Sequence, residues 1–519
     1  MIGTSSSLVA APARSGPGGS TLRGAQPPAP WTAPLDRATV ACLCLGLLCI
    51  AALLPVWLRM LVSPAPQEMR EGAMLWSTSA FLHGHNAYAI ETLPGPANVY
   101  GPLYPLLVVP LATWLGPTLL AHRLVNGAAI LLACALLFRV LRREGVSRGA
   151  ALAGAGLNLA GLLYWVGPTS RPDGVGMALL IGAYAVMAPN PASGRRFAAG
   201  LALSLLGLAT KIYFVLPVLV AIAWTVVHHP RRGVGVGAAA GAAIVATMFG
   251  LASIFPAWAP IVLGANLSAV DYDLGHLARQ SRDWAIFSLP LLAALAAGGH
   301  HRRESLDLWA CALLSGVAAI VLKLGGHTGA HMTYLFHLVS PPLTVVALRA
   351  AERRTIARFA FAAALPVAAF LNAHWFTFDM ARIARAEAVF ARAATAIAAA
   401  KHPAATTEFA PLLLAAGVPP IETGHTEYFR AVAPPWYLAP LWSAMPPLEA
   451  AQTRFTKGFR SAVDAEAFDL VIADRRGLDL LSADALAGRY RPVEPFELDL
   501  AWAQQSWPAD IWRPIRSTE

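Results

Sequence analysis

Residues 38–62 read ATVACLCLGLLCIAALLPVWLRMLV, an apolar run whose one charged residue is Arg59. A helix needs about 20 mostly apolar residues to cross a bilayer. The run is longer than the apolar part of a secretory signal, and no small-residue cleavage site follows it, so we expect an uncleaved first transmembrane helix. Residues 1–37, rich in Ser, Pro, Gly and Ala, are expected to form a disordered cytoplasmic tail.

The composition of the whole chain agrees with this first run. Hydrophobic residues make up 56% of the 519 residues and charged residues 13%, against roughly 25% charged in soluble domains. These values exclude soluble, disordered and fibrous proteins and predict a polytopic α-helical membrane protein. All five cysteines lie in apolar runs, which argues against a disulfide framework or a cysteine-based zinc site. We expect about eleven transmembrane helices, near 38–62, 119–140, 149–167, 172–189, 197–210, 212–228, 233–255, 285–299, 306–324, 333–350 and 357–374.

The basic residues predict how the chain is oriented. The net charge is 39 − 29 = +10, and much of it lies in clusters such as HHPRRG (228–233) and HHRRES (300–305) between apolar runs. These clusters fall on the same side as the N-terminus, which the positive-inside rule assigns to the cytoplasm. The excess of basic residues is therefore read as a marker of topology and not as a nucleic-acid site.

The remaining segments divide the chain into domains. Residues 63–118 form a long first outer loop, in which the Pro-rich stretch 100–116 is expected to be an interfacial or re-entrant helix. Residues 38–373 form the transmembrane part, and an odd number of spans puts residues 374–519 outside the cell. In that C-terminal domain FDLVIADR (468–475) predicts a buried strand and 378–400 an amphipathic helix, so we expect a small α/β fold.

A series of motifs follows the first helix. The first loop contains PQEMREG (66–72), HGHNAY (83–88) and YGPLYPLL (100–107), and AHRLVNG (121–127) opens the next helix. SRPDG (170–174) and GLALSLLGLATKIYFVLP (200–217) come later. In this order the motifs resemble those of the GT-C class of membrane glycosyltransferases, which use polyprenyl-phosphate sugars and include protein mannosyltransferases and the aminoarabinose transferase of lipid A.

The resemblance implies a function and a mechanism. A sugar on a polyprenyl phosphate is transferred, with inversion, to a hydroxyl of a glycan, lipid or protein acceptor at the outer face of a bacterial plasma membrane. A first-loop carboxylate acts as general base; Glu71 matches the family position best and Glu68 competes with it. Asp173 corresponds to a second acid that orients the site or binds a metal. Tyr100, Tyr104 and His331 are assigned to substrate-binding loops.

The leaving phosphate requires cations that stabilise its developing charge. Arg123, Arg171 and Lys211 lie at the outer ends of three predicted helices, at one membrane depth and near the acids. We therefore predict that these three residues bind the donor phosphate.

Each assignment has a structural alternative. Glu71 and Glu68 can be solvated carboxylates paired with Arg70, the cations can be interfacial residues whose charges reach the headgroups, and Asp173 can cap a helix. A transporter or lipid flippase is the alternative for the whole protein, although no internal repeat is evident and the polar residues gather at the helix ends. A third reading is a scaffold protein without catalytic activity.

The sequence identifies no cofactor with certainty, but two features suggest a divalent metal. His327 and His331 in HTGAH (327–331) are four residues apart, a spacing that suits two metal ligands on one helix. Gly326 and Gly329 argue against a helix in this segment. Asp271 and Asp273 form a D-x-D pair of uncertain role.

In the C-terminal domain Trp436, Tyr437 and Trp442 are candidates for stacking on sugars or for anchoring at the bilayer surface.

Overall fold

A computed structural model provides the three-dimensional structure of the chain. It describes residues 37–515 except 53, 69, 90–97, 99, 166, 168, 260–261, 263–271, 299–306, 327–331, 373–379, 419–456, 459, 475–485 and 501–504. All described residues belong to one compact unit, Arg37–Glu519. The tail expected over residues 1–37 lies outside the described residues apart from Arg37, which begins the first helix.

Helices are found at all the positions where the apolar runs predict them. They are α1 (Arg37–Ala51), α2 (Leu54–Val62), α3 (Glu71–Leu82), α4 (Leu103–Leu115), α5 (Leu119–Arg143), α6 (Arg148–Trp165), α7 (Asp173–Met187), α8 (Gly194–Leu208), α9 (Leu216–His228), α10 (Pro230–Ile254), α11 (Leu274–Phe287), α12 (Leu289–Gly298), α13 (Leu308–Ala319), α14 (Thr333–Leu338), α15 (Ser340–Ala351), α16 (Thr355–Leu371), α17 (Met380–Ala398) and α18 (Ala410–Ala415). Among the described residues, three segments are long and apolar enough to cross a membrane: Arg37–Val62, Leu119–Arg143 and Pro230–Ile254.

Several predicted helices are divided in the structure. The first one is divided into α1 and α2, and Pro55 lies in the first turn of α2, where a proline is tolerated. The segment predicted as one helix over 285–299 belongs to two, which meet at Ser288, and the segment 333–350 is interrupted at Val339 before Pro341 and Pro342. Proline and local capping thus set boundaries that hydropathy alone does not show.

The first loop contains a helix that the sequence did not predict. Helix α3 packs against α4 and against the C-terminal α18, and most of its residues are buried, including Ser77 and Thr78. A helix covered on all sides has no apolar stripe, so its periodicity is weak. The stretch 100–116, which we expected to be an interfacial or re-entrant helix, contains α4.

Where it is described, the C-terminal segment contains a four-stranded β-sheet and two helices, α17 and α18. Its sheet has the order β1 (Pro403–Ala405), β2 (Leu470–Asp474), β4 (Gln505–Pro514), β3 (Tyr490–Leu500), in which β1 and β2 are parallel and the other pairs antiparallel. Helix α17 covers one face. Ala65 of the first loop belongs to the same apolar core as Ala386 and Ile511. The domain therefore lies on the same face of the helix bundle as the first loop.

Candidate active site

Glu71, the predicted general base, begins α3 and is fully buried. Its two oxygens accept five hydrogen bonds: from Nε and Nη2 of Arg123 at 2.9 and 2.8 Å, and from the backbone N–H groups of Gln67, Glu68 and Ser170. Burial alone would raise the pKa of this carboxyl, but the Arg123 charge and these hydrogen bonds hold it below its ordinary value. A role as base stays a prediction, and it would require this arrangement to open.

The guanidinium group of Arg123, on α5, also makes all its hydrogen bonds within the protein. Besides Glu71, its guanidinium donates to the carbonyl oxygens of Met60, Ser63 and Ala65. These bonds use all five N–H groups that an arginine side chain has. Arg123 therefore holds the end of the first membrane helix and the start of the first loop against α5, and its predicted contact with a donor phosphate would cost one of these bonds.

Asn126, one turn further along α5, binds the second loop motif, SRPDG (170–174), through hydrogen bonds. Its side-chain amide donates to the carbonyl oxygen of Thr169 at 2.9 Å, and its carbonyl oxygen accepts from the N–H of Gly174 at 2.8 Å. A Cβ on Gly174 would lie 2.4 Å from Asn126 Oδ1. The motif AHRLVNG thus positions both loops, with Arg123 holding one and Asn126 the other.

Tyr100 lies at the centre of three cations. The Lys211 Nζ is 4.3 Å from the centroid of the Tyr100 ring, and the guanidinium carbons of Arg70 and Arg171 are 5.8 and 5.9 Å away. Arg70 also donates to the Tyr100 hydroxyl at 2.9 Å. Burial raises the pKa of this phenol, but the Arg171, Arg70 and Lys211 charges outweigh it, so the pKa of Tyr100 lies below its ordinary value. Cationic side chains on an aromatic face are attracted to its quadrupole.

Two buried carboxylates adjoin these cations. Asp173 Oδ1 accepts from Lys211 Nζ at 2.5 Å, and its Oδ2 lies 2.9 Å from Arg171 Nε. Glu68 Oε1 is 3.7 Å from Arg171 Nη1, and among the described residues it accepts no hydrogen bond. Three cations (Arg70, Arg171 and Lys211) against two carboxylates leave one net positive charge in the Tyr100 cluster, the name used below for these six residues.

The predicted and observed site residues overlap in part. The structure brings together Glu68, Tyr100, Arg171, Asp173 and Lys211, and separates Glu71 with Arg123 as an adjacent ion pair. Asp173 begins α7 but makes no side-chain cap, so the alternative of a capping residue does not hold in this structure. Tyr104 is fully buried, and its hydroxyl donates to the carbonyl oxygen of His122, a contact within the protein.

Three residues at the site were missed from the sequence. From the sequence, Arg70 is interpreted only as a partner of the loop carboxylates. Its position directly before Glu71 in PQEMREG is the signal that could have placed it at the site. Tyr213 lies two residues after Lys211 in GLALSLLGLATKIYFVLP, and that motif is the signal that could have found it, whereas His337 belongs to an apolar stretch in which nothing marks it. In the structure the Tyr213 hydroxyl is 2.9 Å from His337 Nδ1, and His337 Nε2 is 3.6 Å from Asp173 Oδ1.

The proposed metal ligands are described only in part. His327, His331 and Asp271 lie outside the described residues, as do Trp436, Tyr437 and Trp442. Asp273 is described: it caps α11 by accepting from the N–H of Gly275 and pairs with Arg279. Within the described part of the chain no group of three His, Cys, Asp or Glu side chains is arranged to hold a metal ion.

Comparison with known proteins gives a clear result for structure only. No family model and no curated protein sequence matches the chain. The crystal structure of ArnT from Cupriavidus metallidurans in the apo state is similar, with a TM-score of 0.55 and 14% identity over 90% of this chain and 97% of that one. ArnT from the same organism bound to undecaprenyl phosphate gives a TM-score of 0.53 and 14% identity over 91% and 98%. The resemblance to the GT-C class is therefore confirmed at the level of the fold: this chain folds as ArnT, an aminoarabinose transferase of that class, does.

Proposed function

We propose that this protein is a membrane glycosyltransferase that takes a sugar from a polyprenyl-phosphate donor and transfers it to an acceptor hydroxyl. The observation that carries the proposal is the Tyr100 cluster, a buried site with net positive charge and two carboxylates at the ends of membrane helices. The ArnT fold supports it, because one of the similar structures holds undecaprenyl phosphate.

In this proposal the donor phosphate is bound by Arg70, Arg171 and Lys211. Arg70 takes the place that the sequence analysis gave to Arg123, because every N–H group of Arg123 already has a partner within the protein. Charge-assisted hydrogen bonds to a phosphate strengthen as the glycosidic bond breaks and negative charge collects on the leaving oxygen. The cations thereby favour departure of the lipid phosphate.

The acceptor hydroxyl loses its proton to a carboxylate of the same cluster. Glu68 is the best placed of the three predicted acids: its Oε1 accepts no hydrogen bond from the described residues, whereas Glu71 accepts five and both Asp173 oxygens lie within 3 Å of a cation. A general base must lie within hydrogen-bond reach of the proton that it removes, and an oxygen without a close cation is the most available for it. Asp173 then orients Lys211 and Arg171.

An apolar cavity supports a lipid-linked donor. It lies between α1, α6 and α16, has a volume of about 470 Å³ and is lined by side chains such as Leu45, Leu157 and Leu365. Phe287 also lines the cavity and packs edge-on against Phe336, the residue before His337. The proposal places part of the prenyl chain in this cavity and the phosphate at the Tyr100 cluster.

Binding of undecaprenyl phosphate to purified protein in nanodiscs tests the proposal. Lys211→Gln should weaken binding about ten- to hundredfold, because a charge-assisted hydrogen bond contributes about 1.5–3 kcal/mol. Arg279→Gln, at an exposed cation paired with Asp273, is the matched control and should bind as the wild type does. Equal binding by the wild type and Lys211→Gln, with both proteins folded, would reject the phosphate site.

A further inference from the structure

Tyr213 and His337 are polar residues beside the Tyr100 cluster that the proposed mechanism does not use. His337 is fully buried and Tyr213 is half-buried. The Tyr213 hydroxyl lies 2.9 Å from His337 Nδ1, and Asp173 Oδ1 lies 3.6 Å from His337 Nε2. Asp173, His337 and Tyr213 therefore form a chain of polar groups that leads from the cation cluster to a hydroxyl at the edge of the site.

The orientation of this chain is fixed by packing. The His337 ring is stacked on Tyr213, with ring centroids 5.9 Å apart and planes at 21°, and lies 5.4 Å from the ring of Phe214. Phe214 in turn lies against α7, where a Cβ on Gly176 would come within 1.9 Å of its ring. Tyr334 meets Tyr213 edge-on at 5.2 Å. The imidazole thus has a defined plane, in which its two nitrogens face different partners.

These partners determine where the imidazole proton lies. A neutral histidine carries one ring proton, so one nitrogen donates and the other accepts. The carboxylate of Asp173, which only accepts, faces Nε2 at 3.6 Å, beyond hydrogen-bond distance, and its negative charge favours a proton on this nitrogen. With the proton on Nε2, Nδ1 accepts a hydrogen bond from the Tyr213 hydroxyl. The Tyr213 oxygen then has only lone pairs to offer in any other direction.

We propose that the Tyr213 oxygen is a subsite that accepts a hydrogen bond from a hydroxyl group of the substrate, and that His337 and Asp173 are the positioning residues that set its polarity. A phosphate oxygen is an acceptor and does not fit this subsite. The hydroxyl comes from the donor sugar or from the acceptor. Lys211 Nζ is 5.9 Å from the Tyr213 ring, so the subsite adjoins the proposed phosphate site. The inference deepens the proposed function and rests on it.

The first experiment compares ligands with and without a sugar. Wild type and Tyr213→Phe are titrated in nanodiscs with undecaprenyl phosphate and with undecaprenyl phosphate that carries glucose, mannose, galactose or aminoarabinose. We expect Tyr213→Phe to bind undecaprenyl phosphate normally. Its affinity for the sugar-bearing lipid that the wild type prefers should fall about two- to tenfold, the range for one neutral hydrogen bond. If the acceptor supplies the hydroxyl, that affinity stays and the KM for the acceptor rises instead.

Two results would overturn the subsite. One is an equal loss of affinity for undecaprenyl phosphate itself, which would make Tyr213 a phosphate contact. The other is unchanged donor affinity together with unchanged kinetics. Lys211→Gln is run in parallel, so that failure of the phosphate site, and with it of the proposed function, is recognised separately.

Variants of His337 test whether it acts through Tyr213. His337→Phe keeps a flat ring but removes both nitrogens, so the Tyr213 hydroxyl is free to turn and the affinity should fall by no more than it does in Tyr213→Phe. The double variant should be no worse than Tyr213→Phe, because that variant already removes the subsite. His337→Asn retains a side-chain acceptor near the Nδ1 position and should recover part of the affinity. Additive losses in the double variant would separate the two residues and exclude the positioning role.

The proton position is measurable without any substrate. In protein labelled with ¹⁵N-histidine, the His337 signals are identified by their loss in His337→Gln. We expect an unprotonated Nδ1 and a protonated Nε2, with the Nδ1 signal shifted in Tyr213→Phe. A proton on Nδ1, or a doubly protonated ring, would reverse the polarity of Tyr213 and overturn the inference even if the proposed function is correct.

Discussion

Gly101 lies directly against the backbone of Ala209. The N–H of Leu103 donates to the Ala209 carbonyl at 3.1 Å, and the N–H of Gly101 donates to the Thr210 carbonyl at 2.8 Å. A Cβ on Gly101 would lie 2.0 Å from the Ala209 carbonyl oxygen. Only glycine permits this approach, which holds Tyr100 over the charge of Lys211.

We predict that Gly101→Ala weakens binding of undecaprenyl phosphate and lowers the melting temperature. The added methyl group meets backbone, which cannot move aside as a flexible side chain can, so Tyr100 must shift away from Lys211. Gly127→Ala on α5, where the structure has nothing within 4 Å of the added Cβ, is the control. Both quantities are read from one nanodisc preparation. Wild-type values for Gly101→Ala would show that this approach is not required.

Glu71→Gln should destabilise the protein. It leaves the buried Arg123 guanidinium without its counter-charge, a change that typically costs about 3–5 kcal/mol. Replacing both residues, as in Glu71→Gln with Arg123→Met, should recover only part of the loss: no unpaired charge remains, but the carbonyl oxygens of Met60, Ser63 and Ala65 lose their donor. Thermal unfolding in detergent measures this. If Glu71→Gln keeps its melting temperature and loses only turnover, Glu71 is the general base that the sequence analysis proposed.

The same pair predicts a dependence on pH. The pKa of the Glu71 carboxyl is lower in the folded protein than its ordinary value of 4.5, so protonation favours the unfolded chain. The stabilisation is fully present above about pH 4.5 and is lost as the pH falls through the folded-state pKa. The wild type should therefore lose more of its melting temperature between pH 6 and pH 3.5 than the double variant of Glu71 and Arg123 does. Parallel curves would contradict this assignment.

Glu68→Gln should slow sugar transfer about 100- to 10,000-fold, the usual loss when a general base is removed. Binding of undecaprenyl phosphate should persist, since the cations remain in place. Asp173→Asn is expected to weaken that binding as well, because Lys211 and Arg171 lose the carboxylate that orients them. Single-turnover rates with the preferred donor separate the two effects. Normal turnover in Glu68→Gln would return the role of base to Glu71 or Asp173.

The orientation of the C-terminal domain can be tested with reporters. A reporter active only outside the cytoplasm, fused after Glu519, should be active, and a cytoplasmic one silent. The first loop should give the same answer, because Ala65 shares a core with the C-terminal sheet. Opposite answers for the two segments would contradict this packing.

The sequence indicated where the helices lie but not all of the site. Apolar runs predicted the membrane helices because a bilayer requires long, uniformly apolar segments. Helix α3 was not predicted because most of its residues are buried within the protein, so its sequence has no apolar stripe. The motifs placed acids and cations at one depth. They did not show which cation has all its hydrogen bonds within the protein. Arg123 and Arg70 both lie close to the loop acids in the sequence, and only the structure shows that Arg123 donates to the carbonyl oxygens of Met60, Ser63 and Ala65. His337 lies 164 positions beyond Asp173 (337 − 173), a distance at which local patterns carry no information.

Ala65 connects the first loop with the C-terminal sheet. Its carbonyl oxygen accepts from Arg123 at 2.8 Å, while its methyl group belongs to a core that includes Ala509 and Ile511 of the last strand. A ribosome makes the first loop and all the described membrane helices before it makes this strand. The helices can therefore enter the membrane before the Arg123 end of the first loop has its complete surroundings. A protein that lacks β4 should retain its membrane helices but leave Ala65 uncovered.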